Sequence, residues 1–167
     1  MMTLEFSASN IRSILHKLFP ERRLVLSQFT FFNQCGVATP TGETFRRGRR
    51  CYQVFDILPI ATVLALKEEG IPLCKIKNAP QMVQERARRI FELGEGCYLS
   101  GFGDVVTLSL KGEEVSQESI SALIAADAPL LFWSFDVGLL ARRIEDAISG
   151  ASEAPDVVIP ERYLKVA

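Results

Sequence analysis

A chain of 167 residues, 48% hydrophobic and 23% charged, has the length of one ordinary domain or two small ones and is too apolar to stay disordered. Its net charge of −1 hides a division, because residues 1–90 hold 14 Lys/Arg against 7 Asp/Glu and residues 91–167 hold 5 against 13. Lys67–Glu69 interrupts the richest apolar run, which excludes a membrane span, and Glu5, Arg12, His16 and Lys17 break any signal-peptide core. A cytoplasmic protein with no membrane partner is expected.

In chain order, Ser7–Phe19 places Ile11, Ile14, Leu15, Leu18 and Phe19 at helical spacing, with Ser9 or Ser7 as cap and Pro20 as stop. The stretch "LSQFTFFNQCG" predicts a second short helix, capped by Ser27 and ended by Gly36. Two short helices with a tight connection outline a helix-turn-helix. Phe29, Phe31 and Phe32 are expected in its core. Next comes "ATPTGETFRRGRRCYQ", whose glycines, proline and four arginines predict a turn and a short basic β-ribbon, a wing. A third helix is predicted from Phe55 to Glu69, with Pro59 in its first turn and Gly70 at its end. A short helix from Pro72 and another over Pro80–Leu93 complete the basic half.

The acidic half changes character. Two β-prone runs around Gly103–Asp104 predict a hairpin, Ser116–Asp127 a helix, "PLLFWSFD" a buried strand and Val137–Ile148 a closing amphipathic helix. The fold class is therefore α+β. Charge and glycine content set a boundary at Gly94–Gly96, giving a winged helix-turn-helix domain over 1–93 and a small acidic α/β domain over 94–167.

Four like charges around Gly48 repel one another unless water or an anion screens them. The wing residues Arg46, Arg47, Arg49 and Arg50 suit contact with phosphates, which supply most of the affinity for DNA. Ser27, Gln28, Thr30 and Asn33 are the small polar side chains of the candidate recognition helix. They read equally well as base contacts, since Gln or Asn can pair with adenine, or as ordinary helix-surface polarity. Tyr52 has two roles open: a phenolic hydrogen bond to the DNA backbone, or packing under the wing.

No catalytic constellation is legible, and "GFGD" is only a turn. Four scattered cysteines (Cys35, Cys51, Cys74, Cys97) and the lone His16 form no clustered ligand set, so neither a metal nor a cofactor is expected.

Gly48, Arg49, Arg50, Tyr52 and Asp56 begin an ungapped pattern that continues through Ile57, Ile60, Val63, Leu66, Lys67, Glu68, Glu69, Gly70, Leu73 and Ile76, with Gly36 and Pro40 upstream. By these residues the segment 9–77 resembles the winged helix-turn-helix DNA-binding domain of the MerR family of bacterial transcription regulators. The resemblance implies a homodimer that binds double-stranded promoter DNA and alters its shape. It departs at "QFTFFN", where Thr30 replaces an arginine and Phe32 a tyrosine, and it lacks the family's long dimerising helix. Dimerisation is accordingly expected in the acidic half, through a sheet edge or the Val137–Ile148 helix, with Met82, Val83, Ile90 and Phe91 as the rival contact. The acidic domain is also free to sense a small ligand or bind a protein. The alternative function is a protein-interaction module whose winged domain has lost specific DNA binding; an enzyme in the acidic half has least support.

Overall fold

The computed structural model describes residues 5–42, 51–102, 105–113 and 132–152. Helix α1 (Ala8–Leu18) begins at an acceptor. Ser7 Oγ takes the Asn10 N–H at 3.2 Å, and Asn10 Oδ1 returns the bond to the Ser7 N–H at 3.0 Å. Its stripe of Ile11, Ile14, Leu15 and Leu18 is buried, at the spacing the sequence shows.

Residues 19–25 then connect it to α2 (Leu26–Gln34), a longer link than the tight turn expected. Ser27 is not the cap of α2. The N-cap is Val25, and its N–H is satisfied instead by Gln28 Oε1 at 3.0 Å. At the other end Gly36 has φ +69°, the Gly36 N–H reaches Asn33 O at 3.3 Å and the Val37 N–H reaches Phe32 O at 2.9 Å. Those two bonds are the Schellman closure that a glycine permits.

Strand β1 (Glu5–Phe6) pairs antiparallel with β2 (Tyr52–Gln53), Phe6 opposite Tyr52, so the residues just ahead of α1 lie beside those that follow the basic segment. Helix α3 (Val54–Glu68) continues from β2 without a loop. Every residue from Asp56 to Leu66 is buried, so α3 is the central helix rather than an amphipathic surface one. It starts earlier than the apolar spacing suggests, which leaves Pro59 beyond the first turn, inside the helix. A single 3-10 turn (Leu73–Lys75) and α4 (Ala79–Leu93) follow.

Strands β3 (Tyr98–Phe102), β4 (Val105–Ser109) and β5 (Phe132–Asp136) form an antiparallel sheet in the order β4-β3-β5. The register pairs Leu99 with Leu108 and Phe135, and Gly101 with Val106 and Trp133. These residues line the face turned to the core, where the Trp133 ring lies over Gly101. The opposite face is polar at its centre, with Ser100 Oγ 3.0 Å from Ser134 Oγ. The β3–β4 pairing and the presence of β5 agree with the sequence, but β5 is not the buried strand expected: Ser134 is exposed and Trp133 and Phe135 are only half-buried, because one face of the sheet is open. The Ser116–Asp127 helix falls outside the described residues.

Helix α5 (Val137–Ser152) is capped by Asp136, whose Oδ1 accepts the Leu139 N–H at 2.9 Å. It packs on α1, α3 and α4. Val137, Leu140, Ala141 and Ile144 are buried in one cluster with Ile11, Ile57 and Ile90. Charge divides the chain at residue 94, but the apolar core runs across that point. Val83 and Ile90, two of the four residues of the rival dimer contact, are likewise already covered within one chain. The mixed helix and sheet is α+β. No helix among the described residues is long and apolar enough to cross a membrane.

Candidate nucleic-acid interface

The basic segment is held at its base. The Gly42 N–H donates to Cys51 O at 3.2 Å, joining the residues on either side of 43–50. A Cβ at position 42 would lie 2.8 Å from Cys51 O and 2.9 Å from Cys51 C, so only glycine lets the two backbones approach this closely. Arg46, Arg47, Arg49 and Arg50 themselves lie outside the described residues.

One buried carboxylate organises this base. Asp56, in the first turn of α3, accepts the Gln53 N–H at 2.8 Å, the Thr41 N–H at 2.9 Å and the Thr41 hydroxyl at 3.0 Å. Gln84 of α4 reaches the same carboxylate at 3.4 Å and also grips Thr39, donating to its carbonyl at 2.8 Å and accepting its N–H at 3.2 Å. Residues 39–42, the start of α3 and the face of α4 are thus tied by one polar network.

Burial pushes the Asp56 carboxyl up from its ordinary 3.8, and the hydrogen bonds from Thr41, Gln53 and Gln84 offset this only in part. The folded chain therefore holds this proton more tightly than the unfolded chain does. The stability Asp56 contributes is fully present below 3.8 and is lost as pH rises through the raised value. Asp56→Asn should flatten that part of a pH–stability profile, and a slope equal to the parent's would assign it to another group. Asp56→Ala strands two backbone N–H groups and should cost about 2–4 kcal/mol, read from the urea midpoint.

Tyr52 occupies the packing role of its two. Its side chain is 2% exposed, its ring meets Phe29 edge-on at 6.4 Å, and Asn33 Nδ2 donates to its hydroxyl at 3.0 Å. That last bond joins α2 to β2 and engages Asn33, which is half-buried. Gln28 is half-buried too, with its carbonyl committed to the Val25 cap. Ser27 and Thr30 remain exposed on the outer face of α2.

That face is more apolar than the sequence suggests. Phe29 and Phe32 are buried as expected, but Phe31 is 52% exposed, and Val25 and Leu26 at the start of α2 are exposed as well. Three aromatics in four residues cannot all face one core at 3.6 residues per turn, and this is the signal that picks out one of them.

The arginines of α4 are occupied elsewhere: Arg86 pairs with Glu113 at 2.9 Å, Arg89 with Glu92 at 3.3 Å, and Arg88 sits over the Phe55 ring at 5.6 Å. Sequence reasoning missed a second basic group. Arg12 and His16 of α1 and Arg22 and Arg23 of the α1–α2 connection line one groove together with Ser13 and Leu24. The i, i+4 spacing of Arg12 and His16 and the doubled Arg22–Arg23 were its visible traces. No protein-family model matches this chain, and no curated protein is significantly similar to it.

Proposed function

We propose that the chain is a MerR-like transcription regulator, a winged helix-turn-helix protein that binds promoter DNA as a homodimer. The outer face of α2 and the wing arginines Arg46, Arg47, Arg49 and Arg50 form the contact surface in this reading. The observation that carries it is the Asn33–Tyr52 bond, which joins α2 to the strand leaving the four-arginine segment. A helix face and a cationic segment can together follow a groove and its flanking phosphates. The pattern from Gly48 to Ile76 supplies the family expectation.

Arg49→Ala with Arg50→Ala should weaken binding to every duplex about equally, and the slope of log K against log salt should shrink by roughly one to two units. An unchanged slope removes those arginines from phosphate contact. A second reading is favoured by the exposure of Phe31, Leu26 and Val25 along α2 and its N-cap, a segment with no basic side chain. In that reading α2 docks a protein and the duplex affinity is lost. Gel shifts with random duplex at low and moderate salt separate the two, because only the first yields a salt-sensitive complex.

A further inference from the structure

The groove between α1 and the α1–α2 connection has a volume of about 340 Å³ and is lined by Arg12, Ser13, His16, Arg22, Arg23 and Leu24. Three guanidinium groups and an imidazole converge there. The carboxylate that pairs with this set is Glu68, which meets Arg22 Nε at 3.0 Å and leaves the other nitrogens of that guanidinium without a partner among the described residues. Arg12, His16 and Arg23 are exposed and make no ion pair or hydrogen bond among the described residues. The contrast with α4, where each arginine has a carboxylate or a ring, sets this group apart.

Like charges gathered around a concave surface repel, and a bound anion turns that repulsion into attraction. Guanidinium forks match tetrahedral oxyanions by paired N–H donors, which selects phosphate over a spherical halide. Leu24 is buried beneath the groove, and the Ser13 hydroxyl is turned to Ser9 O at 3.2 Å, leaving the cations as the donors facing the opening.

We propose that this groove is a phosphate-binding site, with Arg12 and Arg23 as its principal donors, Arg22 as a third donor oriented by Glu68, and His16 at its rim. The phosphate belongs either to a free phosphorylated molecule or to a nucleic-acid backbone. The first source is independent of the duplex reading; the second rests on it and adds a contact remote in sequence from the wing.

The test uses the full chain and its Arg12→Ser/Arg23→Ser variant, with Arg143→Ser, an exposed cation of α5 outside the groove, as control. Inorganic phosphate and pyrophosphate are titrated against labelled protein by NMR, following the His16 ring and the Arg22 and Arg23 amides. In parallel, a 20-base-pair duplex is titrated over a salt series. Saturable shifts at those signals, weakened at least tenfold in the double variant and unchanged in the control, support the site and a free phosphate. A duplex salt slope lower by about one to two units in the double variant alone supports the site and a backbone phosphate. Duplex binding lost only on changing Arg49 and Arg50 separates failure here from failure of the wing. The proposal is overturned if the double variant matches the parent in both titrations while circular dichroism shows both folded.

Discussion

Residues 1–93 expressed alone should fail to melt cooperatively, despite containing four helices of the basic half. The reason is what α5 and β3 cover. Val137, Leu140 and Ile144 of α5 and Leu99 of β3 are each at most 3% exposed, and they share a cluster with Ile11, Ile57 and Ile90. Burial of such side chains stabilises by about 1.5–3 kcal/mol each, so their removal forfeits on the order of 6–12 kcal/mol. Net stabilities of domains are only about 5–15 kcal/mol. The fragment also exposes the apolar sides of α1, α3 and α4 that α5 covered. Circular dichroism with dye binding reads the outcome: helical signal without a sigmoidal melt, and a bright dye response. A cooperative melt with native helicity would mean that the basic half closes its own core and that α5 only decorates it.

Charge and glycine content set a domain boundary at Gly94–Gly96 whereas the buried cluster spans it, and the cause is physical. Charged residues lie on the surface, so their asymmetry reports which faces meet water and partners. It carries no information about which apolar stripes meet each other. The stripe of α5 was legible as Val137, Leu140, Ala141 and Ile144, but periodicity gives a face, never the partner of that face. Local signals fared better. Gly36 and Gly70 end their helices with φ of +69° and +77°, as glycines placed after an apolar run should. The hairpin and β5 followed from β-branched and aromatic runs bounded by turn residues.

At the candidate interface the same distinction recurs. Tyr52 was readable as packing or contact because its sequence neighbours allow both; the Phe29 ring and Asn33, which decide it, come from α2, remote in sequence. Gln28 looked like a free polar side chain, yet a cap position with no side-chain acceptor of its own recruits it. The Arg12–Arg23 groove was invisible for a related reason. Its cations come from two segments whose approach depends on the route of residues 19–25.

Gly138→Ala should destabilise the chain although it lies in a helix, where alanine is ordinarily better than glycine by about 1 kcal/mol. A Cβ at Gly138 would stand 1.8 Å from the Gly94 carbonyl oxygen and 2.6 Å from its carbon. Both are backbone atoms, so no side-chain rotation relieves the overlap. Neither side can yield freely. The Gly94 N–H is bonded to Ile90 O at 2.8 Å at the end of α4, and Gly94 itself has φ +67°. On the other side, the Val137 N–H is bonded to Cys97 O at 2.9 Å and Asp136 caps the first turn of α5. Relief requires α5 to move away from α4, opening the cluster around Ile90 and Ile144. The net loss should be about 2–4 kcal/mol, seen as a lower urea midpoint at nearly constant slope. Gly150→Ala is the matched control: its Cβ would meet only Lys17 Nζ at 3.9 Å, so it should keep or raise the midpoint. Equal midpoints for Gly138→Ala and the parent chain would show that α4 and α5 do not cross at these two glycines.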